Sequence, residues 1–352
     1  MAIRSPTRTG IRQVAKKARV AISSVSRVIS GHPDVSPEMR DRVQATVKAL
    51  GYEPDILAQS LRRGSTRTVG FLIGDISNPL SAEIALGAEL ALQERDHATL
   101  IVNSLGAATD DAAQLRLLRQ RRVDGFLLSL SDETHPETIA QLKTLGKPSV
   151  LIDRKVQAAP SAAVLSDHAS GMRAAVEHLI ELGHRRIGLV VGARAILPTY
   201  ARADAMIAAC GAHRGVRALV KYGTYSAAHG EAAAEAFLSQ DDPPTALIAG
   251  ANQILAGVLR AIRRRRLCIP RDVSLITCDR TALAEFLEPP LATIERDTRE
   301  LGRMSAQQLL EMLRGATPRS VVLPVSFAPG LSCGPPRESA GRGATDSRPR
   351  AS

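Results

Sequence analysis

The chain has 352 residues, 44% hydrophobic and 23% charged, a composition typical of a folded protein with two or three packed units. No apolar run approaches the ~20 residues of a membrane span, and residues 1–10 lack the apolar core of a secretion signal. The four cysteines share no metal-ligand or disulfide spacing. We therefore expect a cytoplasmic protein with no membrane partner. The net charge is +11, and +8 of it lies in residues 1–67, where 13 Lys/Arg face 5 Asp/Glu, a distribution typical of a module that binds nucleic-acid phosphates.

Two short amphipathic helix patterns lie near the start of the chain. Apolar residues recur at helical spacing from Ile11 to Ala18 and again from Ile22 to Ile29, with about three residues between the two patterns. This spacing is typical of a helix-turn-helix, whose second helix enters the DNA major groove. The outer side of the second pattern carries serines and Arg27, and short side chains let a helix approach the base edges. An ordinary helical hairpin within a larger domain is the alternative.

A third helix and a short fourth one follow. The third is predicted to start with Ser36 as its N-cap and Pro37 at its first position, and residues at helical spacing continue it from Met39 to Leu50. Residues 52–55 interrupt the helical pattern, and residues 56–63 then predict a very short helix. Such a helix is marginally stable on its own because helix nucleation is costly. A plain linker with an exposed leucine is the alternative for this segment.

From Thr68 onward, short β-rich apolar runs alternate with helical stretches, an order typical of parallel sheets covered by helices. The runs fall into two sets, which predicts two doubly wound lobes of similar build. Ligands of such sheets bind beyond the carboxyl ends of the strands, here in the cleft between the lobes. The predicted strands cover residues 69–74, 98–103, 123–130, 148–153, 162–166, 185–192, 216–220, 245–250 and 273–279.

These features together resemble the lactose-repressor (LacI/GalR) family of bacterial transcription regulators. The chain departs from the family pattern at Arg19, where a turn glycine is usual, and at Ala21, where a serine usually caps the second helix. Each departure is expected to cost about 1 kcal/mol of stability. The segments that carry the resemblance include Val14-Ala15, Val25-Ser26-Arg27-Val28, Asp75-Ile-Ser-Asn-Pro79, Val123-Asp-Gly125, Leu182-Gly-His-Arg-Arg-Ile187 and Asp272-Val-Ser274.

The resemblance implies an α/β protein with an N-terminal all-α helix-turn-helix head and a two-lobed, periplasmic-binding-protein-like core of doubly wound parallel sheets. The polar, proline-rich end of the chain predicts a disordered tail. The expected boundaries are 1–52 for the DNA-binding head, 53–67 for the hinge helix and linker, 68–333 for the core (N-lobe about 68–165 and 295–322, C-lobe about 166–294 and 323–333) and 334–352 for the tail.

The resemblance also implies contacts with a pseudo-palindromic, double-stranded DNA operator, made by a homodimer. Ile22 and Ser23 would select bases in the major groove, and Arg27 would contact a guanine or a phosphate. Leu61 of the hinge helix would wedge between base pairs in the minor groove. The predicted DNA-binding residues are Arg12, Ile22, Ser23, Ser26, Arg27, Ser30, Ser36, Ala58 and Leu61.

A small-molecule effector is the other implied partner, with no cofactor, metal or catalytic residue. Aromatic residues make up only 3% of the chain, which disfavours a sugar-stacking platform. We therefore hypothesise a sugar acid or sugar phosphate, paired by Arg154, Arg202 or Arg280, beside the neutral sugars usual in the family. A structural salt bridge is the alternative role of Arg202. The predicted effector-binding residues are Leu80, Ser81, Asp153, Arg154, Arg202, Tyr225, Asn252, Gln253 and Asp279.

These patterns predict an effector-responsive, sequence-specific transcriptional regulator, a repressor of carbohydrate or sugar-acid metabolism genes. The effector would reorient the lobes and bias the hinge helices towards their folded or unfolded form. A solute-binding protein of a transporter is the alternative, but it would require an export signal and would not explain the basic head. An enzyme is not expected, because the chain has no G-x-G-x-x-G, Walker or H-E-x-x-H motif.

Overall fold

The chain divides between Thr66 and Arg67 into two units, which we call the head and the core. The predicted hinge residues Ala58 and Leu61, and most of the predicted tail, lie outside the described residues. None of the helices described is both long and apolar enough to cross a bilayer. The computed structural model describes residues 10–52, 64–158, 161–281, 284 and 286–337.

Three helices form the described part of the head, and their apolar faces meet in one small core. The first two coincide with the predicted helices, and the third begins at Pro37, its predicted first position. Ser36 caps it as predicted, with its Oγ accepting a hydrogen bond from the backbone N–H of Met39 at 3.4 Å. The helices are α1 (Ile11–Ala18), α2 (Ile22–Ile29) and α3 (Pro37–Leu50), and the fully buried side chains between them are Val14, Val25 and Val43.

The turn between α1 and α2 contains both departures from the family pattern. Arg19 has a φ of 54°, in the left-handed region that favours glycine. Ala21 is the N-cap of α2, and its methyl group provides no oxygen for the free backbone N–H groups of the first turn. Both local penalties that the sequence predicted are therefore present in this turn.

Removing these penalties should stabilise the head. We expect Arg19→Gly and Ala21→Ser each to raise its free energy of unfolding by about 1 kcal/mol. Hydrogen exchange of the α1 and α2 amides in the full-length chain would then slow by about fivefold for each change. As a control, Lys17→Gly places glycine inside α1 and should speed exchange by a similar factor. Unchanged exchange in Arg19→Gly would contradict the strain assigned to this turn.

The described residues of the core contain two six-stranded sheets. The strands are β1 (Thr68–Ile73), β2 (Ala98–Asn103), β3 (Gly125–Leu128), β4 (Ser149–Ile152), β5 (Ala162–Ser166), β6 (Arg186–Val191), β7 (Arg217–Tyr222), β8 (Ala246–Ala249), β9 (Ser274–Cys278), β10 (Ala292–Arg296), β11 (Ser320–Leu323) and β12 (Val325–Ala328). The helices are α4 (Pro79–Gln93), α5 (Ala108–Gln120), α6 (Pro136–Lys143), α7 (His168–Glu181), α8 (Leu197–Gly211), α9 (Ala227–Leu238), α10 (Asn252–Arg264) and α11 (Thr298–Leu313).

The two sheets have equivalent strand orders, and each forms one lobe. The N-lobe sheet has the order β11-β5-β4-β3-β1-β2, and the C-lobe sheet has the order β12-β10-β9-β8-β6-β7. Helices α4 and α11 cover one face of the first sheet and α5 and α6 the other, whereas α7 and α8 cover one face of the second and α9 and α10 the other. The predicted pair of doubly wound lobes is confirmed.

Three strands were not predicted: β10, β11 and β12. The last two are four-residue strands at sheet edges, where partial exposure weakens the apolar pattern. β12 is also antiparallel to β10, so the C-lobe sheet is not purely parallel as predicted. The physical reason is the connection: only Pro324 separates β11 from β12, and the chain passes directly from one sheet to the other.

The predicted tail was wrong for its first four residues. Gly334 is hydrogen-bonded through its N–H and its carbonyl oxygen to the Ser274 hydroxyl, both at 3.1 Å, and Arg337 forms an ion pair with Asp272 at 3.1 Å. Buried His184 also lies 2.9 Å from the Gly334 carbonyl oxygen. These contacts hold residues 334–337 against the C-lobe, although their composition alone is that of an unstructured segment.

Candidate functional site

The head presents the predicted DNA-reading side of α2 to solvent. Ile22 is 44% exposed although it is large and apolar, and Ser23 and Arg27 are also exposed, whereas Ser26 is partly buried. Residues 10–52 contain eight Lys/Arg and three Asp/Glu, a net charge of +5. All three acidic residues follow α2 in sequence, so both helices of the predicted reading motif are free of them. The face is therefore cationic and accessible.

The other predicted contacts of the head have mixed surroundings. Arg12 and Ser30 are exposed, and the Ser30 hydroxyl donates to the backbone carbonyl of Arg27 at 3.1 Å. Ser36 is exposed too, but its hydroxyl caps α3, so it has a structural role whether or not it contacts DNA. Direct contact of any of these residues with DNA stays a prediction.

A cavity of about 350 Å³ lies between the two lobes, within the size range of small-molecule sites. Its wall includes residues that directly follow parallel strands, such as Asp75 near the end of β1, Asp153 after β4 and Asp279 after β9. This is where doubly wound sheets place ligands. All nine residues predicted to bind the effector line this cavity, namely Leu80, Ser81, Asp153, Arg154, Arg202, Tyr225, Asn252, Gln253 and Asp279.

An ion-pair cluster joins the lobes at the cavity. The Arg296 guanidinium donates from Nε to Asp279 Oδ1 at 2.6 Å and from Nη1 to Asp153 Oδ2. Both aspartates are at most 4% exposed, and both have left-handed backbone, with φ of 51° and 69°. Burial opposes ionisation of Asp153, but the neighbouring His168 and Arg296 outweigh it and lower its pKa. Burial also opposes ionisation of Asp279, whose pKa is lowered by Arg296 and Arg202.

The sequence analysis missed Arg296. The signal available was an arginine two residues after the short run Ala292–Ile294, in a segment that was not recognised as a strand. Because that segment is β10, Arg296 lies at a strand end, close to the positions of Asp153 and Asp279 after β4 and β9, and it lines the cavity. Its two carboxylate partners belong to different lobes, which makes it an interlobe residue.

The three arginines proposed to pair an acidic ligand differ in position. Arg202 is 4% exposed, donates from Nη1 to the Gly250 carbonyl at 2.7 Å, and lies 3.7 Å from Asp279 in its own lobe. Arg154 donates to the backbone carbonyls of Leu130 and Asp153. Arg280 is outside the cavity lining: its side chain is 62% exposed and pairs with Glu295 at 3.2 Å, so its proposed role in the site was wrong.

Further contacts join the lobes around the cavity. On one side, Gln253 donates to Asp75 at 2.9 Å and Asn252 donates to Asn78 at 3.0 Å. Elsewhere, buried Glu133 of the N-lobe accepts a hydrogen bond from the backbone N–H of Leu197, the first residue of α8, at 2.7 Å. Burial raises the pKa of Glu133. Except for Asn252 and Gln253, none of these residues was among the predicted site residues.

Comparison with known proteins agrees with this arrangement. Residues 10–55 match the family model described as bacterial regulatory proteins, lacI family, and residues 176–333 match the periplasmic binding protein-like domain. The chain is similar to the ribose operon repressor of Haemophilus influenzae, with 31% identity over 312 residues that cover 86% of this chain and 92% of that protein.

Two solved structures are also similar. One is the lac repressor dimer bound to operator and the anti-inducer ONPF, with a TM-score of 0.83 and 25% identity over 93% of this chain and 100% of that one. The other is a LacI family transcriptional regulator from Enterococcus faecium with bound ribose, with a TM-score of 0.68 and 27% identity over 77% of this chain and 100% of that one. The chain therefore belongs to the lacI family of bacterial transcriptional regulators.

Proposed function

We propose that this protein is an effector-responsive transcriptional repressor that binds a double-stranded operator as a homodimer in the cytoplasm. The observation that carries the proposal is that the chain combines an exposed, cationic helix-turn-helix with a two-lobed core whose cavity is lined in part by charged side chains. The related Haemophilus protein is a repressor, and the similar lac repressor structure is a dimer on its operator. A transporter's solute-binding protein would not need the head, so that alternative is not favoured.

We propose a neutral sugar of about pentose to hexose size as the effector. Six charged side chains line the cavity, three acidic and three basic, so their formal sum is zero. Arg296 is already paired with two carboxylates, and Arg202 lies beside Asp279. An anion entering this site would be desolvated without meeting excess positive charge. This charge balance favours a neutral polyhydroxylated ligand over the sugar acid or phosphate suggested by the sequence.

In the proposed mechanism, the ligand changes the balance between two arrangements of the lobes. The bonds Gln253–Asp75 and Glu133–Leu197 cross the cleft, so a ligand that favours their formation favours the closed arrangement. A ligand shifts such an equilibrium only by its difference in affinity for the two states. The predicted hinge residue Leu61 is the proposed link to the operator, and the sign of the response, release or retention of DNA, follows from that difference.

The DNA-binding part of the proposal can be tested with the full-length protein. Genomic fragments that the protein retains are selected, and their affinity is measured by fluorescence anisotropy. We expect Arg27→Ala to weaken specific binding by about tenfold to a hundredfold, the usual cost of losing one base or phosphate contact. Lys48→Ala, on the exposed side of α3, is the matched charge control and should have a much smaller effect. Failure to enrich any fragment, or unchanged affinity in Arg27→Ala, would contradict the proposal.

The effector part is tested on the same fragments. Neutral pentoses and hexoses are screened by thermal shift beside sugar acids and sugar phosphates, and each stabilising compound is then added to the protein–DNA complex. We expect a neutral sugar both to raise the melting temperature and to change the DNA affinity. Stabilisation by acidic compounds alone would overturn the proposed ligand class.

A further inference from the structure

A buried carboxylate lies behind one wall of the cavity. Asp111, in the first turn of α5, is fully buried and accepts hydrogen bonds from Ser131, from its backbone N–H at 2.6 Å and from its Oγ at 3.2 Å. Ser131 follows β3 and lines the cavity. Neither residue belongs to the interlobe ion-pair cluster or to the predicted effector-binding set.

The donors and acceptors around Ser131 determine where its hydroxyl proton points. A serine hydroxyl has one proton and two lone pairs, and an ionised carboxylate only accepts. The proton of Ser131 is therefore directed to Asp111 or to Ser104, and not into the cavity. Buried Ser104 lies with its Oγ 3.0 Å from Ser131 Oγ, and its own proton goes either to Ser131 or to Asp111. In both cases Ser131 has an acceptor lone pair, and no proton, for the cavity.

The surroundings of Asp111 bear on its charge. Burial raises its pKa, whereas the hydrogen bonds from the two serines and the positive charge of Arg154 oppose that rise. The first turn of a helix also favours a negative charge, because free backbone N–H groups are concentrated there. These groups stabilise the ionised form of Asp111 against the burial that raises its pKa.

We propose that Asp111 is a positioning residue that fixes the Ser131 hydroxyl as an acceptor and thereby selects ligand groups that donate a hydrogen bond. A sugar hydroxyl meets this requirement. A carboxylate or phosphate oxygen does not, because it would place its lone pairs against those of Ser131. This inference rests on the proposed sugar-binding function and adds to it the residue pair that discriminates a neutral sugar from its acid.

Arg154 does not remove this discrimination. It is the cation on the same wall, but its Nε donates to the Leu130 carbonyl and its Nη1 donates to the Asp153 carbonyl at 2.9 Å. Two of its donor groups are therefore occupied by backbone oxygens. The Ser131 hydroxyl therefore remains a hydrogen-bond acceptor towards the cavity, because the buried groups behind this wall take its proton.

Replacing Asp111 by asparagine should change the Ser131 hydroxyl from an acceptor into a donor towards the cavity. The Ser131 N–H requires an acceptor, so the amide oxygen stays on it and the amide NH₂ faces Ser131 Oγ and donates to it. The serine proton is then free to point into the cavity. Isothermal titration of the full-length protein with pairs that share the same ring, D-glucose against D-glucuronate and D-galactose against D-galacturonate, measures the result. We expect the wild type to favour the neutral member of the pair it binds by about tenfold or more, and Asp111→Asn to reduce that ratio by about tenfold.

Double substitutions separate selectivity from structural damage. In the Ser131→Ala background, Asp111→Asn should no longer change the ratio of the neutral-sugar affinity to the sugar-acid affinity. Ser129→Ala is the control background: Ser129 also lines the cavity, but there Asp111→Asn should still change that ratio. If Asp111→Asn does not fold, Ser131→Ala alone should weaken the neutral sugar selectively. An unchanged ratio in both single variants overturns the role of Asp111 while leaving the proposed function intact. A wild type that binds only the acids, or no sugar at all, overturns the inference together with the proposed ligand class.

Discussion

Replacing Arg296 by methionine should lower the free energy of unfolding of the core by about 3–5 kcal/mol, because it leaves two buried carboxylates without their shared cation. Asp153 and Asp279 are 3% and 4% exposed, so little of either carboxylate is open to solvent that could replace the lost hydrogen bonds. Urea denaturation of the full-length protein at neutral pH, followed by far-UV circular dichroism, measures the loss. It is the largest effect that we expect from one substitution, since one side chain satisfies charges in both lobes.

The pH dependence of that loss follows from the pKa directions. In the wild type the pKa values of Asp153 and Asp279 are lowered below the ordinary value of 3.8, so their stabilisation is present above that pH and declines only as pH falls further. Without Arg296, His168 remains beside Asp153 and Arg202 beside Asp279, but less positive charge opposes the effect of burial, so both pKa values are expected to rise. The variant would then take up protons on folding and recover part of its stability as the pH falls from neutral. The difference between wild type and variant should therefore shrink towards acidic pH.

Two controls test the assignment. Arg280→Met removes an exposed ion pair with Glu295 and should cost at most about 1 kcal/mol. Combining Arg296→Met with Asp153→Asn and Asp279→Asn removes the uncompensated charges and should restore most of the loss. A loss below about 1 kcal/mol in Arg296→Met, or no recovery in the triple variant, would show that the cluster does not hold the lobes as described.

Replacing Gly302 by alanine should also destabilise the core, by about 3 kcal/mol, because two helices of the N-lobe approach each other at glycine. A Cβ at Gly302 of α11 would overlap the backbone carbonyl oxygen of Ile84 in α4, and a Cβ at Gly87 of α4 would overlap that of Arg299. Neither obstacle is a side chain that can rotate away. The helices would have to separate and expose apolar surface that they bury now.

A second glycine provides a control of opposite sign. Gly211 is the last residue of α8, and a Cβ there would meet nothing within 4 Å. Gly211→Ala should therefore stabilise the protein by about 0.5–1 kcal/mol, through the lower entropy of the unfolded chain and the higher helix propensity of alanine. Thermal and urea denaturation of both variants under one set of conditions gives the comparison. Destabilisation by Gly211→Ala, or tolerance of Gly302→Ala, would contradict this account.

The head was predicted almost completely from the sequence. Its first two helices begin and end at the predicted residues, and the strained turn at Arg19 and the uncapped Ala21 were both identified in advance. This succeeded because the determining interactions are local: apolar residues at helical spacing, N-caps and left-handed turns act over one to four residues. DNA contact by this head stays a prediction, as does the hinge helix, whose residues are not described.

The core was predicted in outline. Nine of its twelve described strands were found, with ends displaced by at most two residues, because buried parallel strands are continuous apolar runs. All nine predicted effector residues line the cavity, most of them because residues that closely follow parallel strands meet at one edge of a sheet, whereas Arg202 lies within α8. Here the order of the elements along the chain was sufficient to bring the residues together.

By itself, the sequence determined the helix-turn-helix, the two doubly wound lobes and the edge of the sheets at which a ligand can bind. Only the tertiary structure decided which charges meet there. Arg296 and Asp153 are 143 residues apart in sequence. Asp111 of α5 is hydrogen-bonded to Ser131, which follows β3. The glycine contacts between α4 and α11 were likewise invisible in sequence. Local patterns record whether a residue is buried, whereas the partner of a buried charge, or the backbone against a glycine, depends on how distant elements pack.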